Sequence, residues 1–150
     1  MNLKNIAKKI AQITNFDIMQ ELNKDLELEY AAAIQYIQHA AQIKGAEFFS
    51  VQKELIKHSE EEMQHAVKIS EWINTLGGIS TIDVETRKIS EDSIEMLHQD
   101  LDGEMDAISR YKNRIGQAEQ LGELGLKKDL MEILSEEEEH RRDLEFAIGL

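Results

Sequence analysis

The sequence predicts an all-α protein: an antiparallel four-helix bundle with a long crossover between its second and third helices and a short extra helix at the N-terminus. Three observations carry this. Apolar residues recur at helical spacing through four segments of nearly 30 residues, each roughly 40 Å long at 1.5 Å per residue. Proline is absent and aromatic residues make up only 5%, which leaves little material for strands. The glycines at 45, 77, 78, 122 and 125 fall between the helical segments. At 150 residues the chain reads most simply as one bundle domain, 15–150, preceded by a helical segment, 1–14.

In "MNLKNIAKKIAQI", Leu3, Ile6, Ile10 and Ile13 share one side and lysines the other. The stretch lacks the unbroken apolar run of a signal peptide and reads as a helix packed on its own or a neighbouring subunit, with a surface-binding amphipathic helix as the alternative. The first long helix spans about Phe16 to Lys44 and buries Leu22, Leu26, Ala33, Tyr36 and Ile43. Gly45 breaks it, and the second helix runs from about Glu47 to Leu76, where Gly77 and Gly78 stop it. Residues 77–90, "GGISTIDVETRKIS", carry no helical stripe and form the crossover. Ser90 ahead of Glu91 and Asp92 reads as the cap of a third helix reaching Leu121. Gly122 and Gly125 mark a turn, and the fourth helix occupies about 126–148. Two tight turns and one long central connection suit two antiparallel hairpins joined along the length of the bundle.

Composition narrows the function. With 17 basic against 30 acidic residues the formal charge is −13, and no basic face for nucleic acid is visible. That charge serves solubility or draws in metal cations. Zero cysteines exclude disulfides, thiolate metal sites and cysteine nucleophiles, and fit a reducing cytosol. No stretch approaches about 18 uninterrupted apolar residues, so no membrane contact is expected and a cytoplasmic location is. "GGIS" lacks the long loop and lysine of a phosphate cradle. His39 and His98 stand off or beside the main register and read as surface or packing residues.

Each apolar stripe is interrupted once by a charge. Leu22, Glu29, Tyr36 and Ile43 are spaced by seven in the first helix, as are Leu55, Glu62, Ile69 and Leu76 in the second. The third gives Leu97, Glu104 and Tyr111; the fourth gives Leu130, Glu137 and Leu144. His65 and His140 follow their glutamates by three, on the same face. An ionised carboxylate buried without partners costs several kcal/mol, and four together repel. No lysine or arginine stands at a matching register. Two cations would neutralise the group, and one Glu from each of two helices with Glu-x-x-His from each of the others is the ligand set of a di-iron or di-manganese site. Carboxylate and imidazole suit iron or manganese, whereas structural zinc closes with four N/S ligands.

The halves also repeat. Adding 75 to Glu29, Glu62 and His65 gives Glu104, Glu137 and His140, and the same shift maps Asp25, Leu26, Tyr36 and Leu55 onto identical residues. A pseudo-twofold axis between the hairpins is implied. Glu60, Glu61, Glu136, Glu138 and Glu139 are expected to be solvated or to line a polar face, with Glu61 and His58 as candidate secondary iron positions.

"LEYAAAIQYIQHA", "EEEMQHA", "DLDGEMDAISRY" and "EILSEEEEHRRDLE" resemble, in order and spacing, the four ligand segments of bacterioferritin and the wider ferritin-like di-iron superfamily. The likeness covers about residues 15–148. It implies a ferritin-like bundle in which Glu29, Glu62, His65, Glu104, Glu137 and His140 hold two irons per subunit, Glu62 and Glu137 bridging. Tyr36 falls where bacterioferritins have a tyrosine beside the di-iron site, as an electron donor or as a core residue bonded to a ligand. Met63 falls on the methionine that, one from each of two subunits, sandwiches haem b across a dimer axis; an ordinary surface or interface methionine is the alternative. Bacterioferritins continue into a fifth helix, whereas this chain ends at "FAIGL", so a 24-subunit shell, a smaller shell and a dimer all stay open. The function implied is a homo-oligomeric ferroxidase oxidising Fe(II) with O2 or H2O2 for storage and detoxification. The alternatives are rubrerythrin-like peroxide reduction and a non-catalytic metal-binding bundle. An inter-subunit site of the Dps type fits less well, because all six ligands lie in one chain.

Overall fold

The computed structural model describes residues 13–150, so the expected helix over 1–14 lies almost wholly outside the described residues. Four helices follow: α1 (Asn15–Gln42), α2 (Phe49–Thr75), α3 (Ser93–Leu121) and α4 (Leu124–Ala147), with one 3-10 turn at Ala46–Phe48. Thr14 is extended and caps α1. Its hydroxyl accepts from the Asp17 N–H at 3.2 Å, and the Asp17 carboxylate accepts from the Thr14 N–H at 2.9 Å. Gly45, at φ 127°, supplies a backbone state that a side chain would oppose and turns the chain into α2.

The cap of α3 differs from the expected one. Asp92, not Ser90, accepts from the Glu95 N–H at 2.7 Å, while the Ser90 hydroxyl takes the Asp92 N–H at 3.0 Å. Both residues are good caps, and the carboxylate at the right offset adds favourable charge at the helix N-terminus.

The connection between α2 and α3 runs along α1 in the direction of α1. Asn23 accepts from the Thr81 N–H (2.8 Å), Glu27 O from the Glu85 N–H (3.2 Å), and Gln35 donates to Lys88 O (3.1 Å). It therefore returns the chain to the far end of α1, where the Ser93 hydroxyl accepts from the Lys44 N–H at 3.1 Å. α2 and α3 consequently run parallel, and the topology is two antiparallel hairpins with a long crossover.

Burial divides the interior into layers. One apolar cluster holds Ile18, Leu22, Leu26, Ile69, Ile73 and Leu130 among others; a second, toward the opposite end, holds Ala40, Ile43, Phe48, Leu97 and Leu144. Each fully buried leucine or isoleucine contributes roughly 1.5–3 kcal/mol. Between the clusters lies a layer of buried charges, and its cost is borne by the apolar layers on either side.

Candidate metal centre

Glu29, Glu62, His65, Glu104, Glu137 and His140 are all buried, in the middle of α1, α2, α3 and α4, at the positions the sevenfold stripes assign to the core. Glu62 spans the two imidazoles: its Oε2 is 3.3 Å from His65 Nδ1 and its Oε1 3.1 Å from His140 Nδ1. Glu137 does the same, at 3.4 Å to His65 and 3.3 Å to His140. Glu29 reaches only His65 (3.4 Å) and Glu104 only His140 (3.7 Å). Two overlapping donor sets result, Glu29–Glu62–His65–Glu137 and Glu62–Glu104–Glu137–His140, with the donor atoms of each within 4.8 Å of one another.

The residues around these six repeat the same twofold pattern. Tyr36 donates its hydroxyl to Glu104, and Tyr111 donates to Glu29. His65 Nε2 lies 2.6 Å from Glu136 Oε2, and His140 Nε2 lies 2.9 Å from Glu61 Oε2. Glu61 and Glu136 thus do more than face solvent. Each fixes the ring of the opposite hairpin and directs Nδ1 inward, the carboxylate–histidine arrangement that orients metal-binding imidazoles. The signal was present in the sequence, since the 75-residue shift maps Glu61 onto Glu136.

Farther out the pattern breaks. Buried Asp25 accepts from Arg114 Nε (2.6 Å) and Arg110 Nη1 (2.8 Å), whereas its counterpart Asp100 meets His39 Nδ1 at 2.8 Å. His39 is fully buried, a packing residue with a hydrogen-bonding task; His98 is on the surface. Arg114 is a buried cation that the stripes did not reveal, but it is committed to Asp25 and to Glu21 (2.7 Å). Among the described residues no lysine or arginine pairs with the four glutamates, whose basic neighbours are His65 and His140. Met63 is half exposed on the outer face of α2 and does not join the buried group.

Burial, then repulsion from Glu62 and Glu137, pushes the Glu29 carboxyl well above its usual range; burial with Glu137 and Glu62 does the same to Glu104. Burial also opposes ionisation of Glu62 and Glu137, but the adjacent histidines overcome it and hold both low. His65 and His140 are pushed up by the surrounding carboxylates despite burial. These opposed shifts lower the net charge that the four carboxylates would otherwise carry. Two divalent cations among four carboxylates would cancel that charge, with the protons expelled.

Whether the residues fit metal can be judged from unsatisfied atoms. Both Glu137 oxygens and Glu29 Oε2 are buried with no hydrogen-bond partner among the described residues. A buried acceptor left unpaired costs about 1–3 kcal/mol. Oxygen donors aimed at a common point beside two inward nitrogens suit iron or manganese.

An all-helical bundle whose polar layer is built from two Glu-x-x-His hairpins is the architecture of the ferritin-like di-iron carboxylate proteins. The chain belongs to the ferritin-like domain family, whose pattern matches residues 19–150. It is 31% identical over 134 residues to the bacterioferritin of Brucella melitensis, covering 89% of this chain and 83% of the relative. Its fold is similar to that of a ferritin-like diiron-carboxylate protein from Bacillus anthracis, with TM-score 0.86, 30% identity, and 89% and 96% of the two chains covered. It is also similar to Rhodobacter capsulatus bacterioferritin, described with a metal-free dinuclear site and haem iron in a crystallographic special position. That match has TM-score 0.81 and 29% identity, covering 88% and 83%.

Proposed function

We propose that the protein is a cytoplasmic, homo-oligomeric ferroxidase that takes two Fe(II) ions per chain and passes Fe(III) on for storage. The observation that carries this reading is the pair of carboxylates, Glu62 and Glu137, each reaching toward both histidines, with Glu137 otherwise unpaired. They are the bridging ligands; Glu29 with His65 and Glu104 with His140 complete the two positions. Each Fe(II) supplies one electron, so a pair reduces O2 to H2O2, or H2O2 to two waters, with two protons taken up in either case. The protons that Glu29, Glu104, His65 and His140 release as metal enters leave the four carboxylates ionised for binding. Tyr36, buried and bonded to Glu104, is read as the donor of the second electron where only one Fe(II) is bound, its phenolic proton leaving with that electron. Manganese fits the same donors.

The test is aerobic Fe(II) addition followed by absorbance and light scattering. Fast oxidation that saturates at two irons per chain, followed by growth of a many-iron core, is the expected result. Catalytic peroxide turnover without a core would reassign the centre to peroxide reduction. Binding without O2 uptake would make it a structural metal site.

From the resemblance of "EEEMQHA" to bacterioferritin, and with the Rhodobacter relative described with haem iron, we also propose Met63 as a haem b ligand shared between two subunits. Its half-exposed thioether is free for such a contact. Haem reconstitution at one per two chains, lost in Met63→Leu, is the outcome that supports it.

A further inference from the structure

One of the places where the 75-residue repeat fails opens a second group of candidate metal-binding side chains. His58 holds the position of Ile133 in the other half, Glu54 that of Asp129, and Ala147 that of Trp72. In the half with Trp72 the groove between α2 and α4 is filled. Ile133 is part of the apolar core, and Trp72 donates its indole N–H to Asp129 at 2.8 Å. The indole also lies so close to Gly125 that a Cβ there would sit 2.9 Å from it.

In the half with Ala147 the equivalent groove is open. It has a volume of about 430 Å³ and carries Glu47, Glu54, Glu139 and Asp143 around His58. His58 is only 1% exposed, and its Nε2 lies 3.3 Å from Asp143 Oδ2 and 3.7 Å from Glu54 Oε1. Its Nδ1 has no partner among the described residues. In the metal-free protein its Nε2–H donates to Asp143, and a cation bound between the two carboxylates would take that proton's place. Lys57 pairs with Glu54 at 3.1 Å, and half of its side chain lies in solvent, so it can swing away.

We propose that Glu54, His58 and Asp143 hold a third divalent transition-metal cation, outside the dinuclear centre, at the groove through which cations pass to or from it. The three donors lie within 4.8 Å of one another, and one imidazole with two carboxylates suits a divalent first-row ion. The groove also leads inward. The His58 ring stacks on His140 at 4.1 Å, and His58, Glu61 and His140 bring donor atoms within 4.8 Å. Successive donor sets therefore share one residue each: His58 joins the outer set to the middle one, and His140 joins the middle set to the centre. A cation can move inward without facing a dry, apolar step, a path that Ile133 and Trp72 close in the other half. The staging role rests on the ferroxidase reading; the cation site itself does not.

Co(II), which O2 does not oxidise readily at such sites, is the probe. Crystals of the full chain loaded with Co(II) are expected to show three anomalous peaks per chain, one between Glu54, His58 and Asp143. Equilibrium dialysis is expected to give three equivalents, falling to two in Glu54→Gln/Asp143→Asn. These are isosteric changes at half-exposed positions that leave the fold intact. No peak at this position in the wild type, or three equivalents retained in the double variant, would overturn the site. Absence of the two inner peaks would instead overturn the dinuclear reading, so the failures are distinguishable. At limiting Fe(II), the double variant is expected to oxidise iron several-fold more slowly while still saturating the centre at two; an unchanged rate removes the staging role.

Discussion

The two hairpins, α1–α2 and α3–α4, share one plan yet differ in a graded way. At the centre they are interchangeable: Glu29 with Glu104, Glu62 with Glu137, His65 with His140 and Tyr36 with Tyr111 occupy equivalent places and make equivalent contacts. One step out, Glu61 and Glu136 are still a pair. Beyond that the match is lost: Arg114 stands for His39, Ile133 for His58 and Trp72 for Ala147. In the proposed ferroxidase two adjacent cations would constrain the inner residues alike, whereas the outer ones would be free to make one position wetter and more accessible than the other.

The largest effects should come from the residues both positions share. Glu62→Ala and Glu137→Ala should each reduce the rate of Fe(II) oxidation by on the order of 100-fold or more in stopped-flow absorbance, and by similar amounts, since each carboxylate faces both histidines. A tenfold gap between them would break the equivalence of the halves. Next come the residues that serve one position. Glu29→Ala and Glu104→Ala should each lower the Co(II) stoichiometry of the centre from two to one in calorimetry, and retention of both equivalents in either variant would remove that residue from the ligand set.

The outer carboxylates should matter less. Glu61→Gln and Glu136→Gln should weaken metal binding by about 10–100-fold each, the usual range for groups that orient a ligating histidine. Competition against a chelator measures this, and no change in either would mean that the histidine rings are held by packing alone.

Protonation gives a fourth comparison, between the metal-free and metal-loaded protein. Glu29, Glu104, His65 and His140 have raised folded-state values, so the stability they supply is complete below their unfolded values of 4.5 and 6.5 and is lost as pH rises through the folded ones. Glu62 and Glu137 have depressed values, and their contribution is lost as pH falls below 4.5. The metal-free protein should therefore lose stability as pH rises above 4.5 for Glu29 and Glu104 and above 6.5 for His65 and His140, through their raised folded values. The metal-loaded form, having released those protons, should not. Parallel melting curves across that range would refute the charge assignment.

The smallest effect expected is between the tyrosines. Tyr111 lies 5.6 Å from the Arg110 guanidinium, while Tyr36 meets the edges of His58 and His140 at 5.3 and 6.4 Å. A fixed cation disfavours loss of an electron, so Tyr36→Phe should slow oxidation a few-fold and remove any tyrosyl radical signal, whereas Tyr111→Phe should keep that signal. Equal behaviour would make both tyrosines simple hydrogen-bond donors to Glu104 and Glu29.

By itself the sequence determined the helices, the crossover and the register of the six candidate ligands. Helical spacing and a fixed 75-residue offset are properties of the chain read in order, and a charge in an apolar stripe announces itself there. Only the tertiary structure decided which side chains meet across helices: Glu136 on His65, Glu61 on His140, Arg114 on Asp25, and Trp72 filling a groove that Ala147 leaves open. Those contacts depend on how two helices are rotated and displaced against each other. A short polar residue such as Ser90 or Asp92 can likewise cap from more than one place, so the choice between them waits on the packed fold. Periodicity fixes the face a residue occupies, and packing fixes what that face touches.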